Sequence, residues 1–337
     1  MFETHVSTDV LIIGAGISGL MAAQALQEKG VKVIVVDKGR SVGGRLATRR
    51  IGDGVADHGA QFFTVREPEF QTYVEQWVND RVVYVWAFGW SDGSLQSPSP
   101  EQGNPRYAAY GGMNNLPKHL AKDIEDVRLN VKIVTATRDE EGWVFQDEEG
   151  NIYASKALIM TAPVPQSLQI LNDGATALAD KDKVALEEIE YFPSLTGMFL
   201  IEGRVTLPLP GAVQRKNANI SWIADNKVKG ISPNATLVTV QANDQYSQNM
   251  WSAPDERVLN ALHTDLNLYL DDNAVVKESQ LKRWRYATPT SVYPERCLVA
   301  QGDLSLVFAG DAFGGPRIEG AALSGLAASE AITRVLA

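Results

Sequence analysis

The chain has 337 residues, and its 31 Lys and Arg against 41 Asp and Glu give a formal net charge of −10. This length allows two domains with well-buried cores, and the negative charge argues against binding to nucleic acid or to an anionic membrane. A single cysteine, Cys297, excludes an internal disulfide, and four scattered His form no metal-ligand cluster. Because the first apolar run is short, broken by glycines and preceded by acidic residues, we expect a soluble cytoplasmic protein without signal peptide or anchor.

The first elements are predicted to form a strand–turn–helix–strand unit over residues 9–37. Two short apolar runs predict strands, and the apolar spacing between them is helical. Gly14, Gly16 and Gly19 form a GxGxxG pattern at the first turn. The first glycine permits a tight turn, the second lets a pyrophosphate approach the backbone, and the third lets helix and strand pack closely. Gly30 follows as the helix stop.

The turn is predicted to bind an adenine dinucleotide. The helix start at Ile17 and Ser18 offers free N–H groups and a partial positive charge to phosphates. Asp37 ends the second strand, where its carboxylate can accept hydrogen bonds from a ribose diol, and Lys38 beside it is assigned to the same site. A neutral diol is therefore favoured over a 2′-phosphate.

The sequence GGR at Gly43, Gly44 and Arg45 indicates which dinucleotide is bound. In NAD dehydrogenases the first unit usually continues directly into further strand–helix repeats. Here two glycines bring backbone against the cofactor, and Arg45 supplies a cation and a fork of donors beside the pyrophosphate. This resembles the GGR signature of FAD-dependent enzymes of the amine-oxidase superfamily.

The remaining chain alternates between two kinds of segment. Residues 65–105 are rich in aromatic residues and 166–290 mix helix and strand patterns, which indicates an excursion into a second domain. The other segments are predicted to contain, in order, a short helix near 116–121, three β runs at 127–138, 143–147 and 151–160, a buried strand ending at Gly310 and Asp311, and a final helix from about Ile318.

Four segments together resemble the FAD-dependent amine-oxidase superfamily and, within it, the renalase-like branch: residues 9–63, 111–117, 157–166 and 307–325. The resemblance implies an α/β protein with a Rossmann-like FAD-binding domain and a second α+β substrate domain built from inserted segments. The FAD-binding domain would be discontinuous, at 1–64, 106–165 and 291–337, with the substrate domain at 65–105 and 166–290.

The resemblance also implies positions around the cofactor. Gly310 and Asp311 would contact the FAD pyrophosphate or ribityl chain, and the last helix would point its N-terminus at the flavin pyrimidine edge. Backbone near Ile133 would clamp the adenine. The remaining implied contacts are Glu319 and Ala321 at that helix start, and Gly59, Ala60, Gln61 and Phe62 beside the isoalloxazine. We expect noncovalent FAD, because Cys297 is in the wrong context for a tether and a His beside a turn, such as His58, is usually structural.

Two departures argue against a simple amine oxidase. Such enzymes commonly carry a lysine, water-linked to the flavin, on one strand of the substrate domain. The corresponding strand here reads SLTGMFLIEG at 194–203 and contains no lysine. They also usually place an aromatic residue at the position where this chain has Arg317. A cation there favours a polar or anionic substrate, although Arg317 could instead pair with Glu319. The run KRWRYA at 282–287, with Trp284 and Tyr286, could provide phosphate contacts and a stacking wall, or could be an ordinary β-strand with alternating faces.

The renalase-like resemblance implies oxidation of the 2- and 6-dihydro isomers of NAD(P), with electrons passed to O2 to give H2O2. Gln61, Trp284, Tyr286 and Arg317 are the candidate substrate-facing residues. The alternatives are an amine oxidase or desaturase of the same superfamily, and an FAD-binding protein without turnover. An NAD-dependent dehydrogenase is the least favoured.

Overall fold

The computed structural model describes residues 5–94, 99–303 and 305–337. The described chain divides into unit 1, drawn from residues 1–44, 117–190 and 289–337, and unit 2, drawn from 45–116 and 191–288. These boundaries differ from those expected from the sequence: 45–64 and 106–116 lie in unit 2, and 166–190 and 289–290 lie in unit 1. The assignment of one unit to cofactor and the other to substrate stays a prediction.

Seventeen strands are described: β1 (His5–Ile13), β2 (Val33–Asp37), β3 (Thr48–Ile51), β4 (Gly54–Asp57), β5 (Val83–Ala87), β6 (Arg106–Ala109), β7 (Val127–Leu129), β8 (Ile133–Arg138), β9 (Trp143–Asp147), β10 (Ile152–Met160), β11 (Tyr191–Glu202), β12 (Ala212–Gln214), β13 (Ile220–Asp225), β14 (Thr236–Ala242), β15 (Val275–Pro289), β16 (Leu298–Val299) and β17 (Leu306–Phe308). The helices are α1 (Ile17–Gln27), α2 (Pro68–Asn79), α3 (Asn115–Ala121), α4 (Val164–Asp173), α5 (Asp180–Glu187), α6 (Asp244–Asn249), α7 (Asp255–Leu266) and α8 (Arg317–Leu336), with a 3₁₀ turn at Asn267–Tyr269. In this described part of the chain, no helix is long and apolar enough to cross a membrane.

Unit 1 is built on a sheet in which β17, β10, β1, β2 and β7 run parallel in that order. Strand β16 pairs antiparallel with β17, and the meander β8–β9 pairs with the first half of β10. Ile13, Met160 and Phe308 are aligned across the neighbouring strands β1, β10 and β17. The carboxyl ends of these strands therefore meet at one edge, where ligands bind in open parallel sheets.

The β run expected at 127–138 forms two strands instead of one. Asn130, between β7 and β8, has φ 57°, a left-handed conformation that Asn tolerates better than most residues. Its N–H donates to the Gly39 carbonyl, and the N–H of Val131 donates to the Asp37 carbonyl. The break lets β7 extend the parallel sheet while β8 turns back to pair with β9.

Unit 2 contains an antiparallel five-stranded sheet in the order β12–β13–β14–β11–β15. Successive side chains of a strand point to opposite faces. One face packs against α7 through a cluster that includes Phe199, Val240 and Leu262. The other, which we call the hairpin face, carries Met198 and Leu237 against the β3–β4 hairpin.

Candidate functional site

The glycine turn after β1 is formed as the GxGxxG pattern predicts. Gly14 has φ 116°, and its N–H donates to the Val36 carbonyl at 2.8 Å. A Cβ at Gly14 would collide with the Thr161 hydroxyl, and one at Gly19 would collide with the Gly14 carbonyl. A Cβ at Gly16 would meet no atom within 4 Å. Gly14 and Gly19 are therefore required by the packing of the chain itself, whereas the space at Gly16 is open to a ligand.

The start of α1 has hydrogen-bonding groups that the described residues do not satisfy. Its N-cap is Gly16, which has no side chain to cap the helix. Ile17 and Ser18 are buried, and the Ser18 hydroxyl has no hydrogen-bond partner among the described residues. Gly44, with φ 53°, lies against this turn, since a Cβ there would be 3.7 Å from the Gly16 Cα. Free donors, an open cradle and a helix N-terminus fit a pyrophosphate.

Asp37 braces the turn from the end of β2. One carboxylate oxygen accepts the Ala15 N–H at 2.7 Å and the other accepts the Gly39 N–H at 2.6 Å. Each oxygen has a second lone pair, so the group can also accept from a ribose hydroxyl. Lys38 donates instead to the Gln166 side chain at 2.9 Å. Ile133 is buried at the start of β8, a few residues after the loop that binds the Asp37 segment.

The last strand contributes to the same sheet edge. Gly310 has φ 135°, its N–H donates to the Ser324 hydroxyl at 2.8 Å, and a Cβ there would contact only the Thr161 carbonyl, at 3.7 Å. Asp311 beside it is buried. Thr161 thus lies next to both Gly14 and Gly310. Unit 1 therefore brings together the two glycine turns that the sequence assigned to the dinucleotide.

Helix α8 begins at Arg317, close to the predicted start, with Glu319 and Ala321 near its N-terminal end. Arg317 is exposed and has φ 77°. The expected alternative of an ion pair between Arg317 and Glu319 is not observed, and within residues 5–94, 99–303 and 305–337 Arg317 forms no ion pair. A role for Arg317 toward a ligand stays a prediction.

In unit 2, residues 57–62 cross the hairpin face of the sheet from the end of β4, and we call them the crossing segment. The Thr239 hydroxyl donates to the Asp57 carbonyl at 2.8 Å, and the Gln241 amide donates to the Gly59 carbonyl at 2.9 Å. The indole of Trp284 donates to the His58 carbonyl at 2.8 Å. The sheet thus fixes the backbone of residues 57–62, which include Ala60, Gln61 and Phe62.

Arg45 binds the backbone of the same unit. Its Nη1 donates to the carbonyls of Tyr286 and Ala287 at 3.3 and 3.1 Å, while the Arg45 carbonyl accepts the Ala60 N–H at 2.9 Å. A Cβ at Gly59 would collide with that carbonyl. Arg45 therefore links β15 to the crossing segment, and its predicted role beside a pyrophosphate stays a prediction.

The run at 282–287 lies within β15 and alternates between faces, as one of its two interpretations predicts. Arg283 donates to the Trp251 and Ala253 carbonyls and pairs with Asp255 at 2.6 Å. Trp284 lies on the opposite side, stacked on His58 with ring centroids 5.5 Å apart. Tyr286 contacts the ring of Tyr191 at 5.6 Å. The structure therefore brings Trp284, but not Arg283, to the crossing segment.

A buried lysine that the sequence did not single out lies under this segment. The Lys229 ammonium is 2.6 Å from an Asp57 carboxylate oxygen, and both side chains are 0% exposed. Its Nζ also donates to the Gln61 carbonyl at 2.7 Å and lies 4.6 Å from the centre of the Trp86 ring. Burial lowers the pKa of Lys229, and the Asp57 carboxylate opposes this effect. No local pattern predicts this, because the turn around Lys229 reads as a polar surface turn.

Several buried polar atoms near the crossing segment have no hydrogen-bond partner in the part of the chain that the structure describes: His58 Nδ1, Gln61 Oε1, Trp90 Nε1, Thr196 Oγ1 and Trp222 Nε1. Leaving such a group unsatisfied costs about 1–3 kcal/mol, so a bound ligand or water is the usual completion. Thr196 and Trp222 each lie opposite Gln241 across the sheet, a relation that only strand register defines.

His58 is neutral at physiological pH. Burial lowers its pKa to about 3, with smaller contributions from the positive charges of Arg49 and Lys282. A neutral imidazole stacked on Trp284 can donate or accept a hydrogen bond, but it carries no charge. Among the described residues, no group of three or more His, Cys, Asp or Glu side chains could hold a metal ion.

The comparisons with known proteins identify the class to which this chain belongs. Residues 12–77 match the NAD(P)-binding Rossmann-like domain, and residues 86–333 match the family described as flavin containing amine oxidoreductase. The protein is an FAD-dependent oxidoreductase. Since the second match covers most of the chain, the chain belongs to the flavin-containing amine oxidoreductase family. The predicted Rossmann-like fold, superfamily and cofactor are confirmed.

The chain is also similar to individual proteins along nearly its whole length. It is 21% identical to renalase of Mus musculus over 348 residues, which cover 97% of this chain and 99% of that protein. A putative protoporphyrinogen oxidase from Exiguobacterium sp. 255-15 has a TM-score of 0.71 at 15% identity. A putrescine oxidase bound to putrescine has a TM-score of 0.70 at 15% identity. Each structural match covers 98% of this chain and 100% of the other, and these two structures share its fold.

Proposed function

We propose that this protein is a renalase-type oxidase that takes a hydride from a 2- or 6-dihydro isomer of NAD(P). FAD, when bound, supplies the hydride acceptor and the reaction with oxygen. The overall reaction consumes one dihydronicotinamide, one O2 and one proton and yields one oxidised nicotinamide and one H2O2. The protein must align the nicotinamide ring and exclude competing reactions.

The observation that carries this proposal is that the buried polar groups near the crossing segment that lack a hydrogen-bond partner among the described residues are all neutral. His58, with a pKa of about 3, is uncharged, and Gln61, Thr196 and Trp222 are neutral hydrogen-bonding groups. Lys229 is engaged by Asp57 and by the Gln61 carbonyl. A protonated amine must lose a proton before oxidation, whereas a dihydronicotinamide is already an activated hydride donor. Such a substrate needs alignment more than it needs a base.

Strand β11 also favours a dihydronicotinamide over an amine as the substrate. The superfamily resemblance implies a lysine on this strand in amine oxidases, and in this chain the strand presents Thr196 toward the hairpin face. Thr196 is fully buried and its hydroxyl cannot act as a general base at neutral pH. The near full-length similarity to mouse renalase agrees with this interpretation. Within unit 2, Trp284 and Tyr286 would stack with the substrate.

The test is anaerobic mixing of the FAD-loaded protein with 6-dihydro-NAD, 2-dihydro-NAD, NADH and a panel of amines that includes putrescine. We expect rapid loss of the flavin absorbance near about 450 nm with the dihydro isomers, and little with NADH or amines. In air, one H2O2 should form for each isomer consumed. Loss of the flavin absorbance with amines alone would instead support the amine-oxidase alternative. The panel includes putrescine because the fold is similar to that of a putrescine oxidase. No bleaching by any donor would support an FAD-binding protein without turnover.

A further inference from the structure

The environment of Lys229 is a complete ammonium-binding subsite. Three different groups surround Nζ: an Asp57 carboxylate oxygen at 2.6 Å, the Gln61 carbonyl at 2.7 Å and the face of Trp86 at 4.6 Å. An ammonium has three N–H groups, and a carboxylate, a carbonyl and an aromatic face are the partners that stabilise it. Because these contacts occupy the ammonium, Lys229 is not poised to act as a base.

The Asp57 carboxylate is fixed on its other side. Its second oxygen accepts the Thr48 hydroxyl at 2.5 Å and the Met113 N–H at 2.8 Å. The Lys229 backbone is fixed as well, because its carbonyl accepts the Tyr84 hydroxyl at 2.5 Å. The position of the ammonium is therefore set from both ends.

The contact with the Gln61 carbonyl gives the ammonium its effect on the crossing segment. The peptide between Gln61 and Phe62 is planar, with its carbonyl and its N–H pointing in opposite directions. With the carbonyl directed to Lys229, the Phe62 N–H is directed away from the subsite. The ammonium thus decides which side of this peptide is presented outward. The superfamily resemblance implies that this peptide lies beside the isoalloxazine.

We propose that Lys229 is a positioning residue for the crossing segment, and that its subsite accepts a small primary alkylammonium ion when the lysine side chain is removed. The link to turnover rests on the proposed function, whereas the binding of an alkylammonium ion does not. Buried charges that lose their partner are strongly destabilising. The Lys229→Ala variant leaves Asp57 without its cation, and an added ammonium restores the missing charge.

The experiment compares FAD-loaded Lys229→Ala with the wild type, with ethylammonium chloride as the probe. We expect the variant to melt about 10 °C lower and to lose at least about tenfold in kcat/KM for 6-dihydro-NAD. Ethylammonium should restore most of both losses. Tetramethylammonium chloride at the same ionic strength, which has no N–H group, should restore neither. Lys229→Met, which keeps the apolar stem, should remain impaired with or without ethylammonium.

Lys227→Ala is the matched control, because Lys227 is an exposed lysine of the same turn. It should melt and turn over as the wild type does. If ethylammonium fails to raise the melting temperature of Lys229→Ala, or if Lys229→Met is as active as the wild type, the proposal is overturned. If the melting temperature is restored but no variant, nor the wild type, oxidises 6-dihydro-NAD, the subsite stands and the proposed function fails.

Discussion

Arg317 combines an exposed side chain with a backbone conformation that arginine rarely adopts. Three other non-glycine residues of the described chain have positive φ: Arg81 after α2, Asn130 between strands and Ala175 after α4. A left-handed residue just after a helix is a common C-terminal cap, which accounts for Arg81 and Ala175. Arg317 lies at the N-terminal end of a helix, where C-terminal capping does not apply. A function of its side chain is therefore the better explanation for a non-glycine residue in this strained conformation.

We therefore predict opposite effects of Arg317→Gly on stability and on substrate binding. Glycine relieves the left-handed strain and should raise the free energy of unfolding by about 1 kcal/mol. Loss of a charge-assisted contact to a substrate phosphate should raise the KM for 6-dihydro-NAD by about tenfold. Chemical denaturation and steady-state kinetics measure the two effects. Arg81→Gly is the control, and it should gain stability with an unchanged KM. An unchanged KM in Arg317→Gly would show that Arg317 does not contact the substrate.

His58 predicts a dependence of stability on pH. Its folded-state pKa of about 3 lies below its ordinary value of 6.5, so between these values the unfolded chain binds a proton that the folded chain does not. Unfolding is then favoured as pH falls from about 6.5 toward 3, by up to about 1.4 kcal/mol per unit. His58→Phe keeps a ring against Trp284 and removes the titration. Its unfolding free energy, followed in denaturant from pH 7 to pH 4, should fall less steeply than that of the wild type. Parallel curves would contradict the burial of a neutral His58.

At the scale of elements, α1 meets both the sheet and α8 through glycines. A Cβ at Gly325 of α8 would collide with the Ser18 carbonyl of α1. Gly19 and Gly14 are limited in the same way by the turn itself. Gly16 is different, because its φ of −74° suits any residue and no described atom crowds it. The packing of these elements therefore does not require glycine at position 16, and we expect the requirement to come from the cofactor.

The Gly16→Ala variant should separate these two requirements. We expect the apoprotein to keep its unfolding free energy within about 0.5 kcal/mol. FAD affinity should fall by at least about tenfold, because the new methyl group occupies space that the pyrophosphate needs. Gly325→Ala is the comparison, and it should destabilise the apoprotein instead. Titration of apoprotein with FAD and thermal melting measure these effects, and undiminished FAD binding in Gly16→Ala would place the pyrophosphate elsewhere.

At the scale of the whole molecule, the mode of FAD attachment follows from the chemistry of Cys297. It is a free thiol, and burial raises its pKa, with further contributions from Glu330 and Glu295. A thiol with a raised pKa is a poor nucleophile, so it is poorly suited to form a flavin tether. This supports the expectation that FAD is bound noncovalently.

Acid precipitation of the FAD-loaded protein should therefore release all of the flavin into the supernatant. Removal of FAD under native conditions should lower the unfolding free energy by about 2.7 kcal/mol relative to protein with free FAD at one hundred times Kd. Flavin absorbance of the pellet and supernatant, with denaturation of apoprotein and holoprotein, measures both. Cys297→Ser should behave as the wild type does. Yellow colour that stays with the precipitated chain would show a covalent bond.

The sequence alone was sufficient for the cofactor fold. The glycine turn, the helix start and Asp37 are neighbours along the chain, so their spacing predicts the structure they form, and the structure places Ala15 and Gly39 on that carboxylate. The GGR motif indicated that the cofactor is a flavin, and its residues are likewise neighbours along the chain. By contrast, the break at Asn130 was missed because one left-handed residue interrupts an otherwise continuous β pattern.

Only the tertiary structure decided what surrounds the crossing segment. Lys229 is 172 residues from Asp57 in sequence, yet the two form a buried ion pair, and Thr196, Gln241 and Trp222 become neighbours through strand register. Burial and pairing between distant residues depend on strand order and alignment, which no local pattern encodes. The sequence by itself determined the dinucleotide-binding fold and the flavin class of the cofactor, and it predicts where the phosphates lie. Folding decided which charges are neutralised and which polar groups are left for a ligand.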